Sequence, residues 1–88
     1  MKITCFNEDE KKADSQAGRI HSWLQSVIPR LSGNVKCSAP FSEPIKRVRN
    51  LYYISILVKG KSLTSLKNAM RGTPLFEEND IIIDVDPL

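Results

Sequence analysis

The apolar positions switch between a strand rhythm and a helix rhythm along the chain. Ile3 to Phe6 is short, β-branched and aromatic, which predicts a strand. Asn7-Glu8-Asp9-Glu10 follows as a turn and helix start, with acids at the positive end of the helix dipole. Ala13, Ala17, Ile20, Leu24, Val27 and Ile28 then recur at three- and four-residue steps, the single buried stripe of an amphipathic helix. Trp23 flanks that stripe as a core-edge residue, and His21 lies off it, facing water. Gly18 costs this helix about 1 kcal/mol relative to alanine, which close packing on a sheet would justify. Pro29 ends the helix or its last turn.

The second half repeats the pattern. Ser32-Gly33-Asn34 is a turn, and Val35–Ala39 is strand-like until Pro40 and Pro44 interrupt it. Proline donates nothing to a ladder, so the segment from Pro40 to Pro44 is a bulge, an edge or a loop. Ile45, Val48 and Leu51 alternate with basic residues and lead into Tyr52–Val58, the strongest strand and a central one. Ser62 is placed to cap a helix whose stripe is Leu63, Leu66, Ala69 and Met70, with Gly72 and Pro74 as its stop and Phe76 anchoring the connection. Ile81-Ile82-Ile83 with Val85 is a last strand. The order β-α-β-β-α-β predicts an α+β fold: a βαββαβ two-layer sandwich, with a four-stranded, mainly antiparallel sheet and two helices on one face. The 88 residues make one domain, 1–88, with room for one modest core.

Charge changes this picture more than composition does. Hydrophobic residues at 41% and charged residues at 26% are ordinary for a folded domain. The net charge is only +3, but residues 36–71 carry +7 and residues 72–88 carry −5. A basic centre of this kind can neutralise phosphates. Lys46, Arg47 and Arg49 cluster just before Tyr52 and Tyr53, and Lys59 and Lys61 lie beyond the strand. Cations attract phosphate, and an exposed tyrosine ring stacks on unpaired bases. Alternation allows only one of Tyr52 and Tyr53 on a given face; Tyr52, nearest the cluster, is the candidate, though either ring satisfies the pattern.

The remaining chemistry points away from catalysis. Asp84 and Asp86 share one face of a strand, yet no base accompanies them, so ion pairing or a tight end turn is the simpler role. One histidine and two distant cysteines, Cys5 and Cys37, do not close a four-ligand zinc site and read as reduced thiols. Gly60-Lys61-Ser62 lacks the upstream glycine of a phosphate loop. No cofactor, metal, membrane or small-molecule substrate is expected. No apolar run reaches the length of a membrane span, and acids stand where a signal peptide would be apolar, so the expected compartment is the cytoplasm.

Two segments carry a family resemblance. Ala39-Pro40, followed by Pro44-Ile45-Lys46-Arg47-Val48-Arg49-Asn50-Leu51-Tyr52-Tyr53 and the apolar strand ending in Lys59, resembles the C-terminal domain of the primosomal helicase PriA. There a proline-rich run leads through basic residues and tyrosines into such a strand. Ile83-Asp84-Val85-Asp86-Pro87 is similar to that family's terminal pentapeptide, and the resemblance covers essentially the whole chain. Departures are Cys37, Ser38 and Asn50 in place of the usual glycine, proline and glycine, and Tyr53 and Ile54 where arginine and an aromatic are common. The resemblance implies a terminal domain of a larger ATP-dependent 3′–5′ DNA helicase that restarts replication in bacteria. It implies no enzymatic activity for this chain alone. Its implied partners are single-stranded or forked DNA, the remaining domains of the helicase, and the single-strand binding protein. The residues expected at the DNA are Lys46, Arg47, Arg49, Tyr52, Lys59 and Lys61.

Two other readings use the same residues. One is a stand-alone RNA- or ribosome-associated βαββαβ module. The other is a pure protein-interaction domain, which predicts an exposed apolar patch near Phe41, Leu75 or Phe76.

Overall fold

The structure, a computed structural model, describes residues 1–42, 51–77 and 80–84. Among these residues, five strands and two helices follow the order β1 (Lys2–Asn7), α1 (Glu10–Val27), β2 (Lys36–Cys37), β3 (Phe41–Ser42), β4 (Tyr52–Lys59), α2 (Thr64–Arg71) and β5 (Ile81–Asp84). The sheet order is β2-β4-β1-β5, with β3 also on β4, and every pairing is antiparallel. β1 lies between β4 and β5, so each βαβ unit is split by a strand from the other half. This is the α+β split-βαβ sandwich that the element order predicts.

β2 and β3 occupy one edge, end to end. Cys37 pairs with Val58 and Phe41 with Ser55, so Ser38–Pro40 face only Ile56 and Leu57. The extra residue makes a β-bulge. Ser38 bridges it: its N–H donates to the Leu57 carbonyl at 2.8 Å, and its hydroxyl accepts from the Leu57 N–H at 3.0 Å. Pro40 sits in this bulge, where no donor is missed. The strand expected over Val35–Ala39 is thus two short strands about a kink.

The core lies between the sheet and α1 and α2. Ile3 and Cys5 of β1 and Ile54, Ile56 and Val58 of β4 meet Ala13, Ala17, Ile20 and Leu24 of α1 and Leu66 and Met70 of α2. Strand alternation fixes this side for β1 and β4 alike. Gln16 joins the buried stripe of α1, a polar position that periodicity of apolar residues passes over. Trp23 packs against the core edge-on to Phe76, ring centroids 5.2 Å apart. Leu75 and Phe76 are partly buried on the core, so of the three residues expected in an exposed patch only Phe41 is exposed. His21 is half-buried rather than turned fully to water.

Caps explain where the helices start and stop. Asn7 Oδ1 accepts the Asp9 N–H and Asp9 Oδ1 accepts the Lys11 N–H, both at 2.9 Å, which closes the turn into α1. Pro29 sits in a short 3-10 turn, Ile28–Arg30, that ends α1. α2 starts one residue later than a Ser62 cap implies: Leu63 takes the cap position with no side-chain bond, and the Ser62 hydroxyl reaches the Thr64 N–H only at 3.5 Å. Among the described residues no helix is long and apolar enough to cross a membrane.

Gly18 has no packing reason. A Cβ built there meets nothing within 4 Å. Gly18→Ala is therefore expected to stabilise the fold by about 0.5–1 kcal/mol, read as a rise in Tm of roughly 2–8 °C by thermal unfolding.

Candidate nucleic-acid interface

The helices cover one face of the sheet, and the side chains that alternate to the other face form the candidate site. On β1 these are Lys2, Thr4 and Phe6; on β4, Tyr53, Ser55, Leu57 and Lys59; on β5, Ile82 and Asp84. Register carries Lys36 beside Lys59 and Phe41 beside Ser55 onto the same face. The rows across the sheet are then Lys36–Lys59; Leu57–Lys2–Asp84; Phe41–Ser55–Thr4–Ile82; and Tyr53–Phe6.

This face, which no described helix covers, carries several large apolar side chains. The exposed large hydrophobic residues among those described are Phe41, Leu57 and Ile82, and all three lie on it. Phe6 and Tyr53, cross-strand neighbours on the two central strands, put their ring centroids 6.1 Å apart with planes 29° from parallel. Between the apolar residues, Ser55 is fully buried and its hydroxyl meets that of Thr4 at 2.9 Å. A solvated sheet face normally alternates to polar residues, and these positions depart from that pattern.

The described cations of this face sit mainly at one end. Lys36 and Lys59 are both exposed and directly opposed across the β2–β4 ladder. Opposed side chains there are about 5 Å apart at Cβ, and like charges in that position are unfavourable unless an anion joins them. Lys61, also exposed, is held nearby because its N–H donates to the Gly33 carbonyl at 2.7 Å. Gly33 has a φ of +100°, and a Cβ there would collide with the Ser62 carbonyl, so the 32–34 turn and the 60–62 loop fit only with glycine.

The residues expected at nucleic acid are distributed as follows. Lys59 and Lys61 lie at the C-terminal end of β4, with Lys36 as a third member that the sequence reading did not single out. Tyr52 is half-buried and packs against the core, whereas Tyr53 takes the open face. Of the two rings, the one on the helix-free face is thus that of Tyr53. Lys46, Arg47 and Arg49 lie outside the described residues, as does Asp86. Ser42 and Leu51, which flank that basic segment, are at the opposite end of β4 from Lys59. Phe6, which the sequence reading placed only in a strand, reaches this face through the alternation of Ile3 and Cys5 with Thr4 and Phe6.

The acids are separate from these cations. Asp84 neighbours Lys2 on the open face, and Asp80 takes a bond from Asn7 Nδ2 at 3.3 Å at the far end of β1. Neither has a constellation for chemistry, and among the described residues no group of three His, Cys, Asp or Glu side chains is placed to hold a metal. Cys5 and Cys37 are free thiols; burial pushes the Cys37 thiol above its ordinary pKa, which disfavours the reactive thiolate.

The chain matches no family model, no curated protein and no solved structure with which it was compared.

Proposed function

We propose that the chain is an accessory domain that binds single-stranded or forked DNA and docks beside a larger replication-restart helicase, as the C-terminal domain of PriA does. The observation that carries the reading is the exposed Lys36–Lys59 pair with Lys61 beside it, at one end of an open sheet face. Two lysines opposed on one ladder can both reach a single phosphate, which joins their charges. The proline-basic-tyrosine segment and the terminal Ile-Asp-Val-Asp-Pro of this chain supply the family likeness behind the helicase context. The other domains of that helicase and the single-strand binding protein are its proposed protein partners, in the cytoplasm. The domain contributes binding and positioning; catalysis belongs to the motor.

The test is fluorescence anisotropy with a labelled oligothymidylate of about a dozen nucleotides. Three to six phosphate contacts give a slope of log K against log salt of roughly −2 to −4 on a single strand. Affinity is thus expected to fall about 15- to 250-fold between roughly 50 and 200 mM salt. An oligonucleotide that stays unbound at the lower salt, or a slope near zero, rejects the reading.

A further inference from the structure

We infer that the Phe6–Tyr53 pair is a base-stacking platform, so that the open face of the sheet selects unpaired nucleotides over duplex. The inference rests on the nucleic-acid reading above and specifies which surface and which form of the polymer it concerns.

Three features converge on it. First, the core does not account for these rings. The buried apolar residues lie on the helix side of β1 and β4, and Phe6 and Tyr53 alternate away from them. Second, the two rings form one surface. They are in exact register on the two central strands, 6.1 Å apart and within 29° of parallel. Such a surface stacks any base, because every base has a π-face, and a base is available for stacking only when unpaired. Third, the same face carries the phosphate-binding groups. Tyr53 and Lys59 are six residues apart on one strand, about 20 Å at the usual rise. Leu57 and Phe41 lie between them, so a stretched strand of a few nucleotides runs from ring to lysine over an apolar floor.

The test compares the intact 88-residue chain with Phe6→Leu, Tyr53→Leu and Tyr53→Phe variants. The probes are oligothymidylate, an abasic phosphodiester of equal length, and a duplex of the same length. The parent is expected to bind oligothymidylate about 5- to 100-fold more tightly than the abasic polymer, the worth of one or two stacked bases. Each leucine variant is expected to lose most of that preference, with abasic binding and salt slope unchanged, while Tyr53→Phe keeps it. Thermal unfolding followed by Trp23 fluorescence checks that the variants fold. If a leucine variant does not fold, proton spectra of the parent decide: oligothymidylate moves the Phe6 and Tyr53 ring resonances and the abasic polymer does not. Equal binding of the oligothymidylate and abasic probes, or equal loss on both, overturns the platform and leaves the phosphate reading standing. A parent that binds none of the probes overturns the phosphate reading itself. Leucine variants that bind every probe as the parent does assign this face to a protein partner and also overturn the platform.

Discussion

Gly33→Ala is expected to lower the melting temperature by about 8–30 °C, the largest stability change among the alanine substitutions of the four glycines. Two costs combine. Alanine at a φ of +100° is strained by about 1–3 kcal/mol. The added Cβ also overlaps the Ser62 carbonyl, so the turn and the 60–62 loop must separate. That separation weakens the bonds by which the Gly33 carbonyl accepts the Lys61 N–H at 2.7 Å and the Ser62 N–H at 3.4 Å. Together these make roughly 2–4 kcal/mol, which for a domain of this length is about 4–8 °C per kcal/mol. Gly60 sits against the same turn, with the Gly33 carbonyl and Val35 Cα each 3.1 Å from a built Cβ, so the strain has no room to relax there. Gly72 is the control: its φ is −84° and a Cβ there meets nothing closer than 3.5 Å. Gly72→Ala should melt with the parent. A Gly33→Ala protein melting within about 2 °C of the parent would mean that the loop bearing Lys61 is not anchored on this turn.

How much of this was legible in the chain depends on whether the signal was local. The helix of residues 10–27 could be read because Ala13, Ala17, Ile20 and Leu24 repeat at the helical step, and Pro29 closes it. β4 could be read from its β-branched and aromatic run, down to its first residue, Tyr52. The bulge was half legible. Pro40 announced an interruption, but the Ser38 hydroxyl standing in the ladder depends on Leu57, nineteen residues away. Gln16 was not legible, because apolar periodicity carries no sign that an amide belongs in the stripe.

The site divides the same way. Lys59 and Lys61 were visible as part of a basic run. Lys36 opens the same basic stretch, but its pairing with Lys59 is a matter of register between strands more than twenty residues apart and was not visible. The choice between Tyr52 and Tyr53 turns on parity: Ile54, Ile56 and Val58 face the core, so Tyr52 follows them and Tyr53 does not. Near-continuous apolarity hid that parity, since Leu57 lies on the open face and breaks the alternation that would have revealed it.

Lys36→Glu separates the functional reading of the lysine pair from a structural one, because the two predict opposite signs. Sheet edges often carry lysine to discourage pairing with another chain. Glutamate keeps a charge at that edge, so such protection survives the substitution. It also turns an opposed like pair with Lys59 into an opposed ion pair, which favours the ladder. Stability is thus expected to stay level or rise slightly. Nucleic-acid binding moves the other way. One phosphate contact is lost and a repulsion replaces it, which makes the salt slope shallower by roughly 0.7–1.4 and weakens oligothymidylate binding about 10- to 50-fold near 50 mM salt. Neutralising Lys36, Lys59 and Lys61 together, each to glutamine, is expected to remove about two units of slope and two or more orders of magnitude of affinity under the same conditions. Thermal unfolding and anisotropy on one preparation of each variant read both signs. If Lys36→Glu binds as tightly as the parent with the same salt slope, the pair is an edge guard and the strand of nucleic acid does not reach β2.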